Sequence, residues 1–181
     1  MAPTGTPHTR LITIRGNSVS GKSTLAARLR AAHGRGLAVI GQDLVRRDVL
    51  KERDRPGGAN IGLIDTIARY ALDHGYHVVV EGILYADHYG PMLTTLVADH
   101  QGTSCCFYLD VPFDITLERH ATKPQADAYG EAEMRQWWHP LDLLPDEREE
   151  IIDQHSTIDQ SVSRILRTSG LDLSAPRTRR A

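Results

Sequence analysis

Cysteines, aromatic residues, net charge and long apolar runs are all scarce in this chain. Of its 181 residues, two are cysteines and 6% are aromatic, and the formal net charge is −2 at pH 7. Cys105 and Cys106 are adjacent and lack the spacing of a zinc finger or an iron–sulfur site. Neighbours on a strand point to opposite faces, so we expect no disulfide between them.

The nearly balanced charge excludes two classes of protein. Proteins that coat nucleic acid or lie on an anionic membrane are normally far more basic. No apolar run approaches the roughly 20 residues of a membrane span, and the first ten residues lack the apolar core of a signal peptide. We therefore expect a cytoplasmic, reduced, globular protein without membrane partners.

The chain length suits a single domain. Residues 1–9 are rich in Pro, Thr, Gly and Ala, and residues 174–181 form a short basic segment. We expect both segments to be disordered tails on a single domain at 10–173.

Between these tails, apolar runs rich in β-branched residues alternate with segments of helical periodicity. The predicted strands are 11–15, 37–41, 77–82, 104–111 and 150–153. The predicted helices are 21–34, 44–53, one capped by Asn60 and ending at His74, 89–100, 113–120 and 158–169. This alternation predicts an α/β protein with a parallel sheet covered by helices, in which ligands bind beyond the carboxyl ends of the strands.

The segment after the first strand fits the phosphate-binding pattern G-x-x-x-x-G-K-[ST] at every fixed position. Its glycines allow backbone N–H groups to face phosphate oxygens, and the following helix adds a favourable dipole. We expect Lys22 to reach the β- and γ-phosphates and Ser23 to hold Mg²⁺. Val19 is an unusual residue for such a loop, because a β-branched residue does not easily take a positive φ. The predicted nucleotide-binding residues are Gly16, Asn17, Ser18, Val19, Ser20, Gly21, Lys22, Ser23 and Thr24.

Four segments of the sequence together resemble the P-loop small-molecule kinases. They are GNSVSGKST, the pair Gln42-Asp43 followed by Arg46, VVVEG, and LDVPFDITLERH. Similar types are the chloramphenicol phosphotransferases, shikimate and gluconate kinases, zeta toxins and polynucleotide 5′-kinases. The resemblance implies a P-loop kinase fold with a five-stranded parallel sheet and a mobile lid, here at about 120–139. It also implies ATP, with GTP as an alternative, and an acceptor hydroxyl near the end of the second strand.

Three polar residues follow strands on the edge that carries the phosphate loop. Asp43 is the candidate general base, because phosphoryl transfer needs a group that takes the acceptor's proton. Arg46, one helical turn later, is expected to hold a substrate anion or the γ-phosphate, whereas Arg47 is expected to point elsewhere. Glu81 is predicted to contact substrate or a metal-bound water. The alternatives are that Asp43 caps the next helix, that Arg46 is solvated and that Glu81 is structural.

The polar stretch after Asp110 supplies candidate lid residues. Arg119 and Arg135 are predicted to be catalytic, with Lys123 a weaker candidate, because basic lid residues neutralise charge on the transferring phosphoryl group. Trp137 and Trp138 either both pack, or one packs while the other lines the substrate cleft.

The function predicted from these residues is ATP-dependent transfer of the γ-phosphate to a hydroxyl of a small molecule. The resemblance implies an antibiotic or other natural product as one class of acceptor. The alternatives are a nucleoside, nucleotide or polynucleotide 5′-hydroxyl kinase and, in another class, a regulatory NTPase switch. A long nucleic acid is not expected as substrate, and a monomer and a homodimer both remain open. Acceptor specificity is expected to lie in the segments 53–65 and 85–91.

Overall fold

One parallel sheet forms the centre of the protein. The structure, a computed structural model, describes residues 2–122, 129–145 and 148–172. The strands are β1 (Arg10–Gly16), β2 (Leu37–Gly41), β3 (His77–Glu81), β4 (Thr103–Asp110) and β5 (Glu149–Asp153). They pair in the order β2–β3–β1–β4–β5. Within the described residues, no helix combines the length and apolarity needed to cross a bilayer.

Helices cover both faces of the sheet. They are α1 (Lys22–His33), α2 (Ala59–Asp73), α3 (Ala86–Asp99), α4 (Phe113–Ala121), α5 (Glu131–Gln136) and α6 (Ile158–Ser169), with a π-helical turn at Leu44–Val49. The five-stranded parallel sheet flanked by helices confirms the predicted fold class.

Successive side chains of a strand point to opposite faces of the sheet, so the core is divided into two layers. Leu11 and Val78 pack in one layer with α2 and α3, whereas Ile12, Ile14 and Val79 pack in the other with α1 and α6. All five side chains are fully buried. Strands covered on both faces are almost continuously apolar, which explains runs such as VVV in β3.

The register of the sheet brings three strand ends to one edge. Glu81, the last residue of β3, pairs with Ile14 of β1 on one side and with Gly41 of β2 on the other. The loop after β1 and the turn after β2 therefore start at the height of the Glu81 carboxylate.

The amino-terminal segment differs from its prediction. Thr4 is buried, pairs with His100 in an isolated β-bridge and donates its hydroxyl to Asp73 at 2.8 Å. The Gly5 backbone N–H donates to the same carboxylate at 2.7 Å. The prediction of a disordered tail at 1–9 was wrong for the described residues, because these polar contacts hold a segment that has few apolar groups. The predicted tail at 174–181 lies outside the described residues.

Two helix predictions were also wrong. The predicted helix 44–53 is only the π-helical turn, and α2 has Gly58 rather than Asn60 as its N-cap. Asn60 is fully buried in the first turn of α2, where its amide donates to Glu52 at 3.1 Å. The Glu52 carboxylate also accepts the Ala59 and Asn60 N–H groups, at 3.0 and 2.9 Å, and so takes the place of the cap that the sequence suggested.

Arg15, at the end of β1, is fully buried among polar partners. Its guanidinium donates to Glu149 at 2.8 Å, to Asp142 at 2.9 Å and to the Leu84 carbonyl at 2.8 Å. Burial raises the pKa of Glu149, and the adjacent Arg15 acts against that rise. This cluster ties β1 to β5 and to the segment that follows α5.

We predict that Arg15→Met lowers the free energy of unfolding by about 3–5 kcal/mol, because it leaves the buried Glu149 carboxylate without its cationic partner. The loss should be larger at pH 8 than at pH 5, since the pKa of Glu149 rises further without Arg15 and protonation removes the buried charge. Urea unfolding measures both effects. The double variant Arg15→Met/Glu149→Leu should recover much of the loss, and a single variant within about 1 kcal/mol of the parent would contradict the prediction.

Candidate functional site

The loop between β1 and α1 turns sharply at three positions. Gly16, Val19 and Gly21 have φ of 141°, 61° and 107°. At Gly16 a Cβ atom would lie 2.6 Å from the Leu109 carbonyl oxygen, so glycine is required there for space as well as for backbone angle. Val19 does adopt the positive φ that is difficult for a β-branched residue, and such strain persists only where the surrounding structure enforces it.

The amino terminus of α1 is free of side-chain caps. Gly21 is the N-cap, no side chain caps the helix and no acidic residue occupies its first turn. Lys22 is buried, and its Nζ donates to the Asn17 carbonyl at 2.6 Å and to Ser20 Oγ at 3.3 Å. Uncapped N–H groups at a helix start attract anions, so residues 16–23 form an anion cradle.

Ser23 and Glu81 place oxygen atoms together beside this cradle. The Ser23 hydroxyl donates to both carboxylate oxygens of Glu81, at 3.0 and 3.1 Å. Burial raises the pKa of Glu81, while Lys22 and the Ser23 hydrogen bond act in the opposite direction. A hydroxyl and a desolvated carboxylate are oxygen donors that suit Mg²⁺, and a cation would offset the cost of burying the carboxylate. No group of three or more His, Cys, Asp or Glu residues suited to a metal occurs among the described residues.

Asp43 follows β2 and is open to solvent. It stands at the start of the π-helical turn, but its side chain makes no capping hydrogen bond. Its carboxylate lies 2.8 Å from Arg46 Nη2 and 3.1 Å from Arg47 Nε, and its side chain is 68% exposed. The expectation that Arg47 points elsewhere was therefore wrong, because the π-helical turn brings both arginines to the same acid.

Two cavities flank the cradle. The first, of about 370 Å³, combines the cradle and α1 with residues that follow β5. Its lining residues include Val19, Ser20, Gly21, Thr24, Arg119, Ile152 and Ser156. Ser156 follows β5 and lies opposite the cradle in this lining.

The second cavity, of about 630 Å³, is named the acceptor cavity because it lies at the end of β2, where the acceptor hydroxyl is expected. The residues that line it are Ser18, Val19, Lys22, Asp43, Arg46, Arg47, Arg53, Asp54, Ile83, Tyr85, Tyr129 and Trp137. Lys22 and Asp43 thus face one space. Arg53, Asp54 and Tyr85 belong to the two segments in which specificity was expected.

A buried hydrogen-bond network holds Asp54 in the acceptor cavity. Tyr89 Oη donates to Asp54 Oδ1 at 2.9 Å, and Gln42 Nε2 donates to Asp54 Oδ2 at 2.9 Å. Tyr89 Oη also lies 2.7 Å from Asn60 Oδ1. Burial raises the pKa of Tyr89, and the Asp54 charge adds to that rise, so the phenol keeps its proton.

The candidate lid residues occupy different places. Arg119 lines the first cavity, and its Nη1 donates to the Ser20 carbonyl of the cradle at 3.2 Å. Arg135 is exposed, pairs with Glu131 at 2.7 Å and lies over the Phe113 ring, so the structure does not bring it to either cavity. Lys123 lies outside the described residues.

The segment after α5 is pinned to the cradle. Asn17 Nδ2 donates to the His139 carbonyl at 2.8 Å, and the His139 N–H donates to Asn17 Oδ1 at 3.0 Å. Trp137 lines the acceptor cavity, whereas Trp138 packs edge-on against Phe113 with ring centroids 5.2 Å apart. Of the two alternatives for the tryptophans, the structure has one at the cleft and one in packing.

Sequence reasoning missed Tyr129 and the role of Asn17 in anchoring the segment after α5. Tyr129 precedes α5 in a stretch without periodicity, so nothing in the sequence pointed to it. Asn17 was predicted only as a nucleotide-binding position, and its contact joins residues 122 positions apart.

Several known proteins are similar to this chain in fold. A family model described as AAA domain matches residues 11–142. The solved APS kinase CysC of Mycobacterium tuberculosis, in complex with AMPPNP and APS, is 20% identical with a TM-score of 0.63, over 91% of this chain and 97% of that one. The tunicamycin resistance protein of Deinococcus radiodurans is 19% identical with a TM-score of 0.63, over 93% and 99%. A gluconokinase of Sinorhizobium meliloti is 15% identical with a TM-score of 0.60, over 92% and 95%.

These likenesses show a P-loop kinase fold, as the sequence predicted. No curated protein matches the sequence at a significant level.

We predict that Tyr89→Phe lowers the free energy of unfolding by about 1–3 kcal/mol, because Asp54 loses a buried hydrogen-bond donor and Gln42 loses an acceptor. Tyr70→Phe is the matched control, since Tyr70 is 66% exposed. Chemical denaturation of both variants measures the difference. Equal stability of the two variants would show that the Tyr89 hydroxyl contributes nothing.

Proposed function

The chain belongs to the AAA domain family, and from that premise we propose that it is an ATP-dependent kinase acting on a hydroxyl of a small molecule. The observation that carries the proposal is the acceptor cavity, in which Lys22 of the anion cradle and Asp43 face the same space. A phosphate donor and an acceptor must meet in this way for direct transfer.

The nucleotide occupies the cradle and the first cavity. Its phosphates accept hydrogen bonds from the backbone N–H groups of residues 16–23 and from Lys22. The base enters the cavity between α1 and the residues after β5, where Leu25 and Ile152 offer apolar surface. ATP fits this assignment, and GTP is the alternative, since the cradle binds the triphosphate that both share.

Ser23 and Glu81 would hold Mg²⁺ beside the cradle, directly or through water. When bound, the ion neutralises charge on the phosphate oxygens. Of the two roles predicted for Glu81, its hydrogen bond with Ser23 supports metal holding rather than substrate contact.

Asp43 takes the proton of the acceptor. The bond between the γ-phosphorus and its bridging oxygen breaks, and a bond from that phosphorus to the acceptor oxygen forms. The hydroxyl proton moves to the Asp43 carboxylate, and ADP leaves. Arg46 and Arg47 hold that carboxylate at the cavity wall, so the acid is oriented before the acceptor arrives.

Lys22 and Arg119 offset the negative charge on the transferring group. Lys22 is buried in the cradle, and Arg119 contacts the cradle carbonyl of Ser20. A cation fixed close to the phosphates needs little reorganisation during the reaction.

We predict that Asp43→Asn slows transfer to an alcohol by about 10²–10⁴-fold, because the amide cannot accept the proton. ATP affinity should stay within about twofold, since Asp43 lies outside the cradle. Labelled ATP with a panel of hydroxylated metabolites measures transfer, and calorimetry measures ATP binding.

Asp48→Asn is the control for this variant, because Asp48 is an exposed acid on the same π-helical turn and does not line the acceptor cavity. If both variants transferred label at the same rate, Asp43 would not be the base. Rapid release of phosphate with no labelled alcohol would favour the regulatory NTPase switch.

We predict that Arg119→Gln lowers the single-turnover rate by about 10³-fold, as expected for an arginine that stabilises charge during phosphoryl transfer. Arg30→Gln is its control, since Arg30 is exposed on α1 and lines neither described cavity. Turnover in Arg119→Gln as fast as in Arg30→Gln would remove Arg119 from the mechanism.

A further inference from the structure

We propose that the acceptor is a nucleotide-like alcohol, a molecule that joins a planar ring, a sugar hydroxyl and an anionic group. This inference rests on the proposed function, because it concerns the acceptor cavity of that reaction. Its evidence is the division of the cavity lining into aromatic side chains and arginines.

The aromatic part consists of Tyr85, Tyr129 and Trp137. The whole chain has six tyrosines and two tryptophans, and three of these eight line this one cavity. All three are partly exposed, so each presents apolar ring surface to the space. A planar ring is stabilised by stacking on such surfaces, whatever its hydrogen-bonding edge.

These rings are held in place before any ligand binds. Tyr85 Oη donates to the Trp137 carbonyl at 2.8 Å, and the Tyr85 ring lies 4.6 Å from the His139 ring. The Trp137 and Tyr129 rings are 5.1 Å apart, and Tyr129 stacks on His120 at 4.4 Å. Binding a ring to a preformed surface costs little ordering entropy, so the aromatic part is suited to recognition.

The charged part is predominantly cationic. Four cationic side chains and two carboxylates line the cavity, which leaves a formal net charge of +2. Asp43 is engaged by Arg46 and Arg47, and Asp54 accepts hydrogen bonds from Tyr89 and Gln42. These two acids therefore leave part of the arginine charge unmatched.

Arg53 and Arg46 supply the unmatched donors. Arg53 is exposed at the cavity and makes no hydrogen bond or ion pair with the described part of the chain. Arg46 has a 13% exposed side chain and a buried Nε without a partner among the described residues. A phosphate or carboxylate in the cavity would pair with Arg53 through charge-assisted hydrogen bonds, and the positive charge of Arg46 beside it would add to the attraction.

A single acceptor class uses both parts of the cavity. A nucleoside monophosphate can place its ring on the aromatic part, its phosphate on Arg53 and Arg46, and a ribose hydroxyl at Asp43. An uncharged alcohol leaves the arginines unmatched, and a ring-free sugar phosphate leaves the aromatic part uncovered. The cavity volume of about 630 Å³ lies within the range of small-molecule sites.

Calorimetry on the full chain saturated with AMPPNP tests this inference, because the analogue blocks the nucleotide cavity. The probes are the 5′-monophosphates of adenosine, guanosine, cytidine and uridine, the four matching nucleosides, and ribose 5-phosphate. We expect at least one monophosphate to bind about tenfold or more tightly than both its nucleoside and ribose 5-phosphate. If no monophosphate binds more tightly than both its nucleoside and ribose 5-phosphate, the inference is wrong.

Two matched pairs of variants locate the contacts. Arg53→Gln should weaken the preferred monophosphate about tenfold and its nucleoside less than about twofold, because only the monophosphate carries the anion. Trp137→Leu should weaken both ring-bearing probes and leave ribose 5-phosphate unchanged. Arg55→Gln is the control for Arg53→Gln, and Trp138→Leu is the control for Trp137→Leu, since neither control residue lines the cavity. If a variant and its control weakened binding equally, the assignment of that contact would be overturned.

Transfer assays separate this inference from the proposed function. Label that passes from ATP to an uncharged or ring-free alcohol faster than to any monophosphate would overturn the inference and support the kinase. Absence of transfer to every alcohol tested would overturn the kinase, whatever the binding preference.

Discussion

Charges buried beside the end of a parallel sheet need compensation, and this requirement organises the site. Lys22 and Glu81 are both buried where β1 and β3 end. Each lowers the cost of the other only in part, since burial still raises the pKa of Glu81. The anion cradle and the Ser23–Glu81 oxygens are therefore complementary to an anion and a cation bound together, which is the charge pattern of a metal–nucleotide complex.

The two cavities extend in different directions from this edge of the sheet. The first cavity extends towards β5 and α6, and the acceptor cavity extends towards the turn after β2 and the loop before α2. Val19 lines both, so the strained turn of the cradle is the wall that they share. The strained backbone at Val19 is consistent with a turn whose shape serves phosphate binding and does not follow the conformational preference of valine.

Contacts far apart in sequence shape the acceptor cavity. Asn17 holds the backbone at His139, and Arg15 holds Asp142, which in turn accepts the Ala86 N–H at 2.9 Å. These bonds connect the cradle, the start of α3 and the segment after α5. Tyr85 and Trp137, one on each of the last two segments, are thereby brought together at the acceptor cavity.

Local pattern was sufficient for the sheet, the cradle and the acid after β2. Runs such as VVVEG and the glycine–lysine–serine spacing reflect short-range physics: buried strands are apolar on both faces, and phosphate-binding turns need glycine. Local pattern failed at four residues. Thr4 contacts a segment 69 residues away, and Arg47 lies on a π-helical turn without a sequence signature. Asn60 and Tyr129 contact side chains eight or nine residues away, beyond the spacing of one helical turn. The position of Arg135 over Phe113, away from both cavities, was decided by packing between α4 and α5, since an exposed arginine carries no local information about which neighbour it meets.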